Sequence, residues 1–178
     1  MNNKGFTLIE LLAIIAMISI LSSLVFFDYN VSNKYFALER SSQKIAQDIR
    51  IAQQKSLIGL EGNSGTNGYG VYFSLSSKNN YIIYENNNST PYYDFGDTIS
   101  QTIEIEKGIE IDSLSSNGNY TDSISISFFP PGPITYIQNN FLNTEALISL
   151  TVSESVGKKR IIRINSSGAS EIFDPFNL

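Results

Sequence analysis

The chain has 178 residues, enough for one modest domain plus an N-terminal extension. Its 17 acidic and 12 basic residues give a formal net charge of -5, which does not suggest a general binder of polyanions. Cys and His are absent, which excludes a disulfide framework, a thiolate metal site, a Cys nucleophile and a Ser-His-Asp arrangement.

Residues 1–5 read Met-Asn-Asn-Lys-Gly, and the stretch from Phe6 to Phe27 is nearly all apolar. Such a run of about 22 residues is roughly 33 Å long as a helix, enough to cross a bilayer core. Lys4 in front of it puts the positive end in the cytoplasm. A secretory signal peptide would have a shorter apolar core followed by a small-x-small cleavage site. Here the run continues into Val25-Phe26-Phe27-Asp28-Tyr29, which offers none. Glu10 is the only charge inside the run. A carboxylate at membrane depth costs a few kcal/mol unless paired, so Glu10 marks function. Phe6 and Glu10 lie four residues apart, on one face if both are helical.

From Asp28 to about Leu60 the chain turns polar but keeps a helical beat. Tyr35, Leu38, Ser42, Ile45, Ile49, Ala52 and Ser56 recur at steps of three and four, a single stripe. No Pro interrupts residues 6–60. The pattern predicts one helix of about 50 residues, half in the membrane and half packed on a globular domain. Gly59, Gly62, Asn63, Gly65, Asn67 and Gly68 end it.

After Gly68 the period changes to two. Strands are expected at Tyr69–Leu75 and Tyr81–Tyr84, and around Lys107-Gly108 among Ile99, Ile103, Ile105, Ile109 and Ile111. Further strands are expected at Ser123–Phe129, Ala146–Val152, Lys159–Ile164 and Glu171–Phe173. That makes seven or eight short strands and no second helix. The expected class is α+β, with antiparallel sheet folded against the helix.

Three clusters of charged residues bear on chemistry. Asp94 and Asp97 offer carboxylates but lack the ligand density of a calcium loop. Glu104, Glu106, Glu110 and Asp112 have even spacing and read as one solvated strand face. Lys158, Lys159, Arg160 and Arg163 form the one basic cluster, which reads as a charged hairpin or as a contact for nucleic-acid phosphates. No nucleophile–base set is visible, so no enzyme, cofactor or metal is expected.

The segment Lys4-Gly5-Phe6-Thr7-Leu8-Ile9-Glu10-Leu11-Leu12 resembles the type IV prepilin cleavage motif. That resemblance implies a leader at residues 1–5 cut between Gly5 and Phe6, with methylation of the new amine at Phe6. Glycine before the cut suits an extended backbone in a protease cleft. The resemblance also implies that Glu10 pairs with the amine of a neighbouring subunit. It divides the rest into a transmembrane half-helix (6–27), a stem half-helix (28–60) and a β-rich extracytoplasmic domain (63–178). The implied partners are a prepilin peptidase and methyltransferase, other pilin or pseudopilin subunits, an inner-membrane assembly platform and membrane lipid. The implied location is the bacterial cytoplasmic membrane, single-pass, and then a type IV pilus-like or type II secretion filament. The strand order resembles the GspH/FimT group of minor pilins and pseudopilins. Some of that group bind DNA during uptake through a Gly-Arg-x-Arg motif. The matching place here is Gly168-Ala169-Ser170-Glu171, without either arginine. A DNA-uptake subunit is therefore the alternative reading, carried only by the cluster at 158–163.

Overall fold

The computed structural model describes residues 5–58, 67–88, 90–130, 134–138, 144–153 and 157–175, with the side chains of 24–32 left aside. Helix α1 runs Leu8–Ile58, 51 residues. The predicted stripe is its buried face. Leu38, Ser42, Ile45, Ile49, Ala52 and Ser56 are buried, and Tyr35 is half-buried. Arg40, Lys44 and Arg50 face outward. Most of the glycine-rich stop signal, Gly59 to Gly65, lies outside the described residues.

Ten strands follow: β1 (Gly68–Ser74), β2 (Asn80–Asn86), β3 (Thr98–Glu104), β4 (Ile109–Ser116), β5 (Asn119–Tyr120), β6 (Ser123–Phe129), β7 (Ile134–Ile137), β8 (Glu145–Val152), β9 (Lys159–Asn165) and β10 (Ser170–Phe173). They form two five-stranded antiparallel sheets, ordered β3-β2-β1-β6-β7 and β10-β9-β8-β4-β5. The stem half of α1 packs on β1 and β6 of the first sheet and on β10, β9, β8 and β4 of the second. Ile45 and Ile49 share one core with Val71, Phe73, Ile126, Ile148 and Ile162. The fold is α+β, as the change of period from 3.6 to 2 predicts.

Polar ties fix the stem to the sheets along its length. Ser56 Oγ donates to the Phe128 carbonyl at 2.7 Å, and Tyr81 Oη donates to Asp48 Oδ2 at 2.5 Å. Arg40 grips Glu106 through two bonds of 2.8 and 2.9 Å.

Two expectations need correction. The first is the single acidic strand face across Lys107-Gly108. Gly108 has φ +87°, and the turn it makes sends the chain from one sheet to the other. Ile109 then pairs with Val152. The four acidic residues therefore do not share one strand face: Glu104 ends β3, Glu106 lies on the crossing, and only Glu110 and Asp112 share a face, on β4. The strand count also rises, from seven or eight to ten among the described residues. Strands β5 and β7 have two and four residues, too few to show a period.

Gly70 is where strand packing demands a missing side chain. A Cβ there would lie 2.3 Å from Cζ of Tyr84. The Tyr84 ring is fully buried, and its hydroxyl meets Ser127 Oγ at 2.6 Å and Ser125 Oγ at 3.1 Å. Burial pushes this phenol up to about 12. Gly70→Ala should therefore lower stability by about 1–3 kcal/mol through overpacking. Urea unfolding of the full chain in detergent checks this, and an unchanged midpoint would contradict the contact.

Candidate functional site

The N-terminus is built by a local rule. Thr7 precedes the first helical residue, Leu8. The Thr7 amide and hydroxyl both donate to Glu10 Oε2 at 2.8 Å, and the Glu10 amide donates to Thr7 Oγ1 at 3.3 Å. This is a capping box, in which two backbone amides at the helix start are satisfied reciprocally. Glu10 therefore sits at the third helical position, where the helix dipole also favours an anion. Phe6 lies before the helix. The expectation that Phe6 and Glu10 share one helix face is thus corrected: the Thr7 cap starts the helix after Phe6. Sequence reading singled out Gly5, Phe6 and Glu10 and missed Thr7, although Thr-x-x-Glu before an apolar run is the signal.

Gly5 and Phe6 are exposed and lie outside any helix or strand. Nothing lies within 4 Å of where a Gly5 Cβ would stand. The large apolar residues from Leu8 to Leu21 are 47–83% exposed all around the helix. Ser19 and Ser23 turn their hydroxyls back onto the helix carbonyls of Ile15 and Ile20, both at 2.8 Å. Among the described residues, no helix is long and apolar enough to cross a membrane. The last part of the apolar run, from Leu24 to Phe27, lies outside the described side chains, as does Lys4.

The basic cluster does not form one face. Strand β9 alternates, so Lys159 and Arg163 point away from the core while Arg160 is buried. Arg160 Nε donates to Glu39 Oε2 at 2.8 Å, Nη1 to Asp174 Oδ2 at 2.5 Å, and Nη2 to the Tyr35 hydroxyl. Its guanidinium and the Lys158 ammonium both lie over the Tyr35 ring, at 5.0 and 4.7 Å from the centroid. Lys159 pairs with Asp112 at 2.7 Å. Arg163 stands 3.7 Å from Glu145 and 3.8 Å from Glu171. The structure brings Lys158 and Arg160 together around Tyr35 and sets Arg163 apart. A polyanion would have to compete with the internal partner of each cation.

Asp94 and Asp97 organise their own loop. Asn88 Nδ2 donates to both Asp94 oxygens at 2.7 and 2.8 Å, and the Gly96 amide donates to Oδ1 at 2.7 Å. The Gly96 amide, then Asn88, holds the Asp94 carboxyl below its usual range. Burial pushes the Asp97 carboxyl up against the amides of Asp94 and Asn87 that donate to it. Among the described residues, no group of three or more acidic side chains is placed to hold a metal ion.

The prokaryotic N-terminal methylation motif matches residues 1–26. Among solved structures, the chain is similar to the type IV minor pilin FimU of Pseudomonas aeruginosa strain PAO1, at 9% identity and a TM-score of 0.49. That similarity covers 78% of this chain and 92% of the FimU chain. No curated protein matches. The first 26 residues thus carry the sequence pattern of a prokaryotic N-terminal methylation motif.

Proposed function

We propose that the chain is a non-catalytic minor subunit of a pilus-like or secretion filament, cut between Gly5 and Phe6 and methylated at Phe6. The observation that carries this reading is the methylation motif, joined to a capped, bare apolar helix with one carboxylate at Glu10. The leader at residues 1–5 leaves on cleavage, and the apolar helix stays with the mature chain. That helix anchors the chain in the cytoplasmic membrane with the β-rich head outside. A peptidase and methyltransferase, an assembly platform and other subunits are the partners this implies.

Glu10 has two tasks in this reading. The capping box holds its carboxylate at the helix start, and the carboxylate then offers a charge partner to the amine of a neighbouring subunit. An unpaired cation and an unpaired anion in lipid are each costly, so pairing sets an axial register. Glu10→Ala should therefore allow cleavage yet lower incorporation into sheared filaments by at least about tenfold, the factor that 1.4 kcal/mol of lost pairing gives. Normal incorporation of this variant would count against the pairing role. Thr7→Val keeps the carboxylate but removes the hydroxyl that orients it. Amide exchange at Leu8–Leu11 should quicken in micelles, and unchanged exchange would remove the cap from the account.

A further inference from the structure

We propose that the segment Ser167–Asp174 is a buckled strap: it lies along the stem, opens and closes as one unit while both sheets stay folded, and is locked at its far end by Arg160. This goes beyond the proposed filament role and does not depend on it.

The ties to the stem trace the path of the strap. Gln53 Nε2 donates to the Ser167 carbonyl at 3.2 Å. One turn nearer the apolar half of the helix, Arg50 donates to Ser170, to Oγ at 3.2 Å and to the carbonyl at 3.4 Å. Nearer still, Arg160 joins Asp174 to Glu39 and Tyr35. The strap therefore runs antiparallel to the helix. The lengths agree: Gln53 to Glu39 spans about 21 Å of helix, and Ser167 to Asp174 spans about 23 Å of extended chain.

Between its ends the strap is lightly held. Strand β10 is an outer strand, paired with β9 through Ser170–Phe173. None of its residues is buried, whereas β8, two strands inward, buries Ala146, Ile148 and Leu150. The bonds from Arg50 and Gln53 are exposed, and water competes for them.

The two ends are built more firmly. The upper end is the turn at Gly168, with φ +77°. There Asn165 Oδ1 accepts from the Ser167 and Ala169 amides at 3.0 and 3.1 Å. A Cβ on Gly168 would stand 2.5 Å from Gln53 Nε2, so the turn sits hard against the stem. The lower end is the bond of 2.5 Å from Arg160 to Asp174, and the Arg160 side chain is only 11% exposed. A segment fixed at one end frays from the other. Fixed at both ends, it opens in one step when a lock breaks. Closed, it covers the outer edge of β9, whose backbone groups would otherwise stand unpaired.

Hydrogen–deuterium exchange of the full chain in detergent micelles, read peptide by peptide, tests this. In the parent, the strap should exchange at least about tenfold faster than β8, with its amides opening together. Asp174→Asn should speed the strap at least about tenfold again, the effect of losing a charge-assisted bond, with β1, β6 and β8 unchanged. Glu171→Gln is the control. It removes a carboxylate from the same strand, one that stands 3.8 Å from Arg163 and away from the buckle, and should leave the strap at the parent rate. A parent strap as slow as β8 overturns the proposal, as does an Asp174→Asn strap at the parent rate. Equal acceleration of β8 in Asp174→Asn, or an equal effect of Glu171→Gln on the strap, also overturns it.

Discussion

Replacing Gly5 by leucine is expected to leave the five-residue leader on essentially every chain. The head should fold normally, because the molecule itself makes no use of glycine at this position. Gly5 is exposed before the helix, and a side chain there would meet open space. Under the proposed processing, the demand for glycine comes from outside, from a protease cleft that admits bare backbone. Intact mass of the membrane-extracted variant is the readout. Retention of Met1–Gly5 with an unchanged urea midpoint places the defect in processing. A variant cleaved as efficiently as the parent would contradict the peptidase assignment.

The second large effect is on stability. Arg160 joins the stem at Tyr35 and Glu39 to the C-terminal segment at Asp174. Removing one partner of a buried ion pair typically costs about 3–5 kcal/mol, because the other charge is left without compensation. The Glu39 and Asp174 side chains are 34% and 24% exposed, so water relieves part of that penalty. Arg160→Met should then cost about 2–3 kcal/mol. The hydrogen bond from Arg160 outweighs the opposing burial and holds the Glu39 carboxyl below the ordinary value of 4.5. A depressed carboxylate contributes stability that is complete above its unfolded value and lost as pH falls through its folded value. The gap between parent and Arg160→Met should therefore be widest near neutral pH and shrink below about pH 4.5. A gap that stays constant down to pH 3 would show that Arg160 acts by packing alone.

How far the sequence foretold this molecule depends on the range of the interaction concerned. The stem was legible because Leu38, Ser42, Ile45, Ile49, Ala52 and Ser56 repeat a helical period over many turns, and those residues are buried. Strand β6 was legible at both ends, since Ser123–Phe129 alternates cleanly and a proline follows. The split at Lys107-Gly108 was not. A hairpin and a crossing between sheets look alike locally, and only the pairing of Ile109 with Val152 separates them. The basic residues were legible as a cluster but not as a set of pairs. Glu39 lies 121 positions from Arg160, and Asp112 lies 47 from Lys159, so only the fold brings them together. Thr7 belongs to a Thr-x-x-Glu pattern that reports the cap, but it sits inside a denser motif whose conspicuous residues are Gly5 and Glu10.

The central claim is that this chain is processed as a prepilin and keeps its apolar helix. The most direct measurement is tandem mass spectrometry of the N-terminal peptide from the unmodified chain, isolated from membranes of its native host. The account predicts a peptide that begins at Phe6 with one methyl group on its α-amine. A peptide that begins at Met1, or one that begins beyond Phe27 after removal of the whole apolar run, would contradict it.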